Sequence, residues 1–286
     1  MDYANPEALV STEWLADHLD APDVRVVDAT WFLPNDERTG RAAYDEAHIP
    51  GAVFFDIDEI ADTDSDLPHM LPSPEKFSSR VRNLGLGDGN KIVVYDANGG
   101  FMAACRVWWS FRMFGHDDIA VLDGGLPKWI AEGRPTEDLP PAPQPRHFTA
   151  RQNNFLVRSV DQIISNCDSS KEQVIDARSA GRFHGTEDEP RPGQRKGHIP
   201  NSFSIPFQQL MNPADNWVFR PADQIQAVVD EVGLDPKAPM VASCGSGVTA
   251  CVIGFGLYLL GHKEVAIYDG SWTEWGGRPD TPIVLE

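Results

Sequence analysis

The 286-residue sequence predicts an α/β protein of two tandem domains, each a mostly parallel sheet with helices on both faces. Three observations predict this class. Short β-branched strands alternate with amphipathic helices, the two halves of the chain repeat each other, and a proline-dense segment separates them. The predicted limits are residues 1–137 for the first domain, 138–153 for the linker and 154–286 for the second domain.

The alternation is clearest in the second half. After a strand at 174–176, Pro221 opens a helix that places Ile225, Val228 and Val229 on one face. A strand at 240–242, a helix at 248–260 and a strand at 265–268 follow. Strands separated by helices indicate parallel pairing, and in such sheets ligands bind beyond the carboxyl ends of the strands.

Three sequence segments recur in order along the chain. Val-Val-Asp-Ala at 26–29 returns as Val-Ile-Asp-Ala at 174–177, and the His-Ile-Pro of 48–50 returns at 198–200. Leu-Asp-Gly-Gly at 122–125 returns as Tyr-Asp-Gly-Ser at 268–271. The offsets are 148, 150 and 146 residues, so the two halves are predicted to share one fold.

Charge and cysteine content exclude several classes of function. Asp and Glu number 43 against 24 Lys and Arg, a formal charge of −19 that disfavours binding to nucleic acids and anionic membranes. The four cysteines match neither a zinc site nor a disulfide framework. The first residues lack a secretory pattern, and the longest apolar run, 248–260, is too short to cross a bilayer. We therefore expect a cytoplasmic protein with reduced thiols.

The chemistry is predicted at the turn between the strand at 240–242 and the helix that follows. Cys244 lies in this turn, flanked by Gly245 and Gly247. The first N–H groups of a helix have no partner inside it, and together with the helix dipole they favour an anion. Cysteines at such positions become reactive thiolates. We interpret Cys244 as a nucleophile, against the alternative of a buried structural cysteine.

Cys-Gly-Ser-Gly-Val-Thr at 244–249 resembles the active-site loop of the 3-mercaptopyruvate sulfurtransferases, a family in the rhodanese superfamily. The resemblance extends over nearly the whole chain and implies two rhodanese-like domains. It also implies a Cys244 persulfide, no metal or organic cofactor, and binding of the anionic sulfur by the loop, including Val248 and Thr249. Cyanide, a small thiol or thioredoxin would accept the sulfur.

Further site residues follow from the same resemblance. Arg182 and Arg191 match the family's substrate-binding segment, where two arginines hold the substrate's carboxylate and carbonyl. From the residues alone, surface ion pairs with the neighbouring acids are an alternative. Asp58, His69 and Ser246 match a proposed proton-relay triad. Histidine suits such a relay because it exchanges protons near neutral pH.

The first half is predicted to be inactive. Aligning the halves places Asp96, followed by Ala-Asn-Gly-Gly at 97–100, where the second half has Cys244. Residues present in both halves, such as His48 and His198, are interpreted as structural, as are Arg178 and Arg195. Five tryptophans and two cysteines are assigned to packing: Trp108, Trp109, Trp129, Trp272, Trp275, Cys105 and Cys251.

Three alternative functions remain open from the sequence. The first is a thiosulfate:cyanide sulfurtransferase, although loops of that kind carry cationic side chains where this chain has Gly245 and Gly247. The second is a cysteine phosphatase, which needs an arginine soon after the cysteine. The third is a non-catalytic module that carries a persulfide for signalling.

Overall fold

A computed structural model describes residues 1–33, 36–98 and 102–285. The first domain is built on a five-stranded sheet in which every described pairing is parallel. Its strands are β1 (Leu9–Val10), β2 (Val24–Asp28), β3 (Val53–Phe54), β4 (Lys91–Tyr95) and β5 (Ile119–Leu122), in the spatial order β1-β5-β4-β2-β3. Its helices are α1 (Thr12–His18), α2 (Gly40–Glu46), α3 (Ile57–Ile60), α4 (Pro74–Asn83), α5 (Met102–Met113) and α6 (Gly125–Ala131).

The second domain repeats this plan. Its strands are β6 (Val157–Arg158), β7 (Gln173–Asp176), β8 (Ser202–Ser204), β9 (Met211–Asn212), β10 (Val218–Phe219), β11 (Met240–Ser243) and β12 (Ala266–Tyr268). Five of them form a parallel sheet in the order β6-β12-β11-β7-β8, the counterpart of the first, while β9 and β10 pair as a separate antiparallel ribbon. The helices are α7 (Val160–Ser169), α8 (Ala180–Phe183), α9 (Ala222–Glu231), α10 (Ala250–Leu259) and α11 (Ser271–Gly277).

Both faces of each sheet are buried, as the α/β class requires. In β4, Val93 and Tyr95 face a core that includes Trp129 of α6, whereas Ile92 and Val94 face a second core that includes α5. The predicted fold class is therefore confirmed. All five tryptophans assigned to packing are buried, at 2% exposure or less.

The predicted helix at 248–260 is shorter in the structure. It begins at Ala250, because residues 244–249 form a non-helical loop after β11, and it ends at Leu259. The predicted strand at 240–242 continues to Ser243. These shifts leave Cys244 as the first residue beyond the carboxyl end of its strand.

Residues 138–153 contain no helix or strand and run between the domains. The domains pack through the repeat-related helices α5 and α10, where Trp108 meets Phe255 and Tyr258 edge to face. The start of the chain also contacts the second domain, since Tyr3 donates a hydrogen bond to the Arg220 carbonyl at 2.6 Å. Within the described residues, none of the helices combines the length and apolarity needed to cross a bilayer.

Candidate active site

The loop at 244–249 is held from outside by the start of α11. Cys244 is 2% exposed, and its N–H donates to Ser271 Oγ at 3.1 Å. The Cys244 carbonyl accepts from Trp272 N at 2.9 Å, and the Gly245 carbonyl accepts from Thr273 N at 2.8 Å. These bonds turn the first two loop carbonyls away from the interior of the loop.

The loop is consequently lined by backbone donors. A trans peptide places its N–H opposite its carbonyl, so the anchored carbonyls direct the following N–H groups to the other side. Within the described part of the chain, the N–H groups of residues 245–249 have no hydrogen-bond acceptor. Unpaired donors beside a buried sulfur form a ready site for an anion.

Both loop glycines are needed for close approach. Gly247 has φ +74°, and a Cβ there would lie 2.7 Å from the Asp269 carbonyl oxygen. A Cβ at Gly245 would lie 3.1 Å from Arg182 Nη2 and 3.9 Å from Arg191 Nη1. Two guanidinium groups therefore lie directly against the loop, as the predicted substrate clamp requires.

Arg182 and Arg191 differ in their partners. Arg182, in α8, donates to Glu189 Oε2 from Nε at 3.0 Å and from Nη2 at 2.5 Å. The ion-pair alternative thus holds in part for Arg182, although its side chain still borders the loop. Among the described residues, no carboxylate lies within ion-pair distance of Arg191. Burial lowers the pKa of Arg191, with the neighbouring Arg182 adding to the effect, while the charge of Cys244 opposes it. The charges of Asp58 and Glu189 also oppose the shift, and an arriving carboxylate would add to their effect.

The three residues of the predicted relay lie together across the domain interface. His69 Nδ1 is 3.1 Å from Ser246 Oγ, and His69 Nε2 is 3.0 Å from Asp58 Oδ1. Trp31 Nε1 donates to the other oxygen of Asp58 at 2.9 Å. His69 is 6% exposed and has φ 61°, an uncommon backbone conformation for a residue other than glycine.

Asp58 is held in its charged form. Desolvation favours the neutral carboxyl, but the hydrogen bond and charge of His69, the Trp31 hydrogen bond and the charge of Arg191 outweigh it and lower the pKa of Asp58. A carboxylate at this position orients the imidazole and stabilises it when it carries a second proton. The geometry therefore suits transfer of a proton between His69 and Ser246.

Residues interpreted as structural make structural contacts. Arg178 is buried between Asp176 and Glu189, and Arg195 donates to backbone carbonyls of residues 275–281. His48 stacks on Tyr44 and His198 stacks on Phe183, in equivalent places of the two domains. Cys105 and Cys251 are fully buried in α5 and α10, and burial raises the pKa of both thiols.

Asp96 stands in the first domain where Cys244 stands in the second. It follows β4 as Cys244 follows β11, and its carbonyl accepts from Leu126 N at 3.1 Å as that of Cys244 accepts from Trp272 N. Its carboxylate accepts from Ala104 N at 3.1 Å. Burial, partly offset by backbone hydrogen bonds, raises the pKa of Asp96 to about 7. Of the segment at 97–100 named with Asp96, Gly99 and Gly100 lie outside the described residues.

Sequence reasoning missed four residues that support the site: Trp31, Arg106, Glu189 and Asp269. Arg106 carried a detectable signal, because it is a charged residue inside the otherwise apolar segment Met-Ala-Ala-Cys-Arg-Val-Trp-Trp at 102–109. Glu189 is one of the acids beside Arg182 and Asp269 lies in a recurring segment, but the sequence did not indicate which partners they contact. Trp31 had no sequence signal that pointed to Asp58.

Comparison with known proteins agrees with this architecture. The family model described as "Rhodanese-like domain" matches residues 11–132 and 159–278. Human 3-mercaptopyruvate sulfurtransferase is 42% identical over 96% of this chain and 95% of its own length, and rat thiosulfate sulfurtransferase is 40% identical over the same shares.

Among solved structures, SseA from Escherichia coli, described as a 3-mercaptopyruvate sulfotransferase with the rhodanese fold, superposes with a TM-score of 0.84 at 36% identity. The match covers 93% of this chain and 98% of that one. With both domains matched and relatives at this identity over nearly its full length, the chain belongs to the rhodanese family and is a sulfur-transferring enzyme of two tandem rhodanese-like domains.

Proposed function

We propose that this enzyme takes sulfur from 3-mercaptopyruvate onto Cys244 as a persulfide, releases pyruvate, and passes the sulfur to a thiophilic acceptor. The observation that carries the proposal is a buried thiol among backbone N–H groups of residues 245–249 that have no other acceptor, in a loop without basic side chains. The names of the human and Escherichia coli relatives support the same donor.

In the first step the Cys244 thiolate attacks the substrate sulfur. Arg191 and Arg182 hold the carboxylate and carbonyl oxygens, which guanidinium groups match geometrically. The sulfur–carbon bond breaks, and its electron pair passes to carbon as the enolate of pyruvate. The proton from the substrate thiol reaches that carbon through Ser246 and His69, so that pyruvate and an anionic persulfide result. The N–H groups of residues 245–249 stabilise the terminal sulfur.

In the second step an acceptor attacks the outer sulfur of the persulfide. Cyanide would leave as thiocyanate and regenerate the Cys244 thiolate, with atoms and charge balanced. In the cell we propose a small thiol or thioredoxin as acceptor, and no metal or organic cofactor takes part. We place the enzyme in the cytoplasm, on the composition of its sequence.

The first domain acts as an inactive wall of the cleft in this proposal. Asp96 has no sulfur to donate, while Asp58 and His69 reach across to the loop of the second domain. We propose the boundaries 1–137, 138–153 and 154–286 for the domains and linker, which agree with the absence of helix or strand at 138–153 among the described residues.

Thiosulfate as the main donor is the second candidate, because the rat relative is named for it. Thiosulfate carries two negative charges and gains from cations in the loop, which Gly245 and Gly247 do not supply. A phosphatase is disfavoured, since Thr249, Ala250 and Cys251 follow where an arginine would grip phosphate. A non-catalytic carrier would leave the relay and both arginines without a role.

Steady-state turnover with each donor and cyanide as acceptor tests the choice. We expect a higher kcat/KM with 3-mercaptopyruvate, and pyruvate and thiocyanate released in equal amounts. A higher kcat/KM with thiosulfate would overturn the proposed donor, while release of neither product would overturn sulfur transfer from either.

A further inference from the structure

Arg106, on α5 of the first domain, carries a guanidinium group into the catalytic loop of the second. It is 4% exposed. Nη1 donates to the Gly247 carbonyl at 3.1 Å and to Asp269 Oδ1 at 2.7 Å, and Nη2 donates to the His69 carbonyl. The charged group also lies over the Trp109 ring, 4.5 Å from its centroid. One buried side chain thus joins the relay histidine and the active loop.

The acidic partner of Arg106, Asp269, makes a contact that recurs in both halves of the chain. Asp269 Oδ2 accepts from Leu71 N across the interface at 2.7 Å. Asp123, 146 residues earlier, accepts from Phe219 N across the other side of the interface at 2.9 Å. The residue two before each donor has a similar unusual φ, 61° at His69 and 60° at Trp217. Since both halves make this contact, it is explained by docking of the domains.

Arg106 has no such counterpart. The residue 146 positions later, on α10, is Val252. The interface therefore has a guanidinium group next to the loop that contains Cys244. At the equivalent place, next to the turn that contains Asp96, it has an apolar side chain. His69 follows the same rule, because its counterpart 148 positions later is Trp217. A residue confined to the catalytic side is better explained by catalysis than by the fold.

The contacts indicate what Arg106 does. Drawing the Gly247 carbonyl outward directs the N–H of Val248 into the loop, on the opposite side of the same trans peptide. Holding the His69 carbonyl fixes the strained backbone that places its ring between Asp58 and Ser246. Gly247 is required for this approach, since a Cβ there would lie 3.0 Å from Arg106 Nη1.

We propose that Arg106 is a positioning residue that sets the relay of the first domain in register with the sulfur-binding loop of the second. It acts through His69 and the Gly247–Val248 peptide rather than on the substrate. The inference rests on the proposed function, in which His69 relays a proton and the loop stabilises a persulfide.

The test compares Arg106→Met with Arg112→Met. Arg112 is a matched control because it lies on the same helix and crosses the same interface, donating to the Lys263 carbonyl at 3.2 Å and stacking on Tyr258, away from the loop. We expect R106M to lower kcat with 3-mercaptopyruvate by about 100-fold, the loss that a misplacement near 1 Å produces. KM should stay unchanged because Arg182 and Arg191 are intact. The kcat of R106K should lie between those of the wild type and R106M, since lysine keeps the charge but not the forked geometry.

Two further measurements separate positioning from folding. R106M leaves the buried Asp269 without its charged partner and should lower the unfolding temperature. The double variant R106M/D269N removes both charges, so its unfolding temperature should recover while kcat stays low. Recovery of kcat together with stability, or an equal loss of kcat in R112M, would overturn the positioning role.

Side-chain NMR of His69 tests the inference independently of turnover. The imidazole signals should shift or broaden in R106M and remain unchanged in R112M. If the wild type formed no persulfide, the proposed function would fail, but unaltered His69 signals in R106M would still overturn the inference by themselves.

Discussion

At the scale of single residues, the surroundings of Cys244 distinguish it from the other cysteines. Burial raises the pKa of Cys105, Cys167 and Cys251, and none of these three follows a strand as the first residue of a loop. Cys244 is as buried as a core residue but faces N–H groups in need of an acceptor. We propose that this loop, rather than the residue type alone, makes Cys244 the sulfur carrier.

The proposed proton relay of Asp58, His69 and Ser246 also depends on single residues. His69→Asn and Asp58→Asn should each lower kcat with 3-mercaptopyruvate by about 100-fold or more, the usual contribution of a positioned proton donor. KM should change little, since both arginines remain. Stopped-flow measurement of pyruvate release checks this, with His147→Asn, an exposed histidine distant from the relay, as control. Wild-type rates in both relay variants would contradict the assignment.

The lowered pKa of Asp58 also sets a pH limit. A carboxyl with a depressed pKa in the folded chain contributes its stabilisation above the ordinary aspartate pKa and loses it as pH falls through the folded value. The support that Asp58 gives to His69 should therefore persist through neutral pH and weaken in acid.

At the scale of elements, the turn from β11 to α10 depends on Gly247. Alanine there must adopt φ +74° and also approach Asp269 and Arg106. Gly233 provides the control, because it has φ +78° but a Cβ there would have no neighbouring atom within 4 Å. We expect G233A to cost about 1–2 kcal/mol of unfolding free energy, the usual penalty of a left-handed residue. G247A should cost more and abolish turnover. Equal denaturant midpoints for the two variants would contradict this, because they would show that the close approach to Asp269 and Arg106 does not destabilise G247A.

Asp96, in the corresponding turn after β4, should make the stability of the protein depend on pH. The pKa of Asp96 is raised from 3.8 to about 7, so between these values the folded chain keeps a proton that the unfolded chain has released. Stability must then fall as pH rises through this window. Asp96→Asn removes the titration, so its unfolding temperature should exceed that of the wild type more at pH 8 than at pH 5. A difference independent of pH would contradict the burial of a titrating carboxyl at this position.

At the scale of the whole molecule, two similar domains are joined with different chemistry on the two sides of their interface. Asp123 and Asp269 make equivalent contacts in the two halves. His69 and Arg106, in contrast, contact Ser246 and Gly247 of the loop that contains Cys244, and their counterparts are Trp217 and Val252. In the proposed function, the duplicated fold therefore provides one active site, which side chains of the domain without Cys244 complete.

Part of this organisation could be predicted from the sequence. The repeat offsets predicted two domains of one fold, and the strand end, two glycines and apolar helix around Cys244 are close enough in sequence to predict the loop. The contacts of Arg106 with Gly247 and of Leu71 with Asp269 join residues more than 140 positions apart, and no periodic pattern records such pairs. The ion pair between Arg182 and Glu189 could be identified only in the folded structure, because the alternative partners Glu187 and Asp188 lie even nearer to Arg182 in sequence.

The central claim is that Cys244 alone carries the transferred sulfur, although the chain has four cysteines. Intact-protein mass spectrometry after brief exposure to 3-mercaptopyruvate, without an acceptor, tests it most directly. We predict the added mass of one sulfur atom on the wild type, lost on addition of cyanide, and no addition on Cys244→Ser. A sulfur adduct that persists in Cys244→Ser, or a wild type that gains none, would contradict the account.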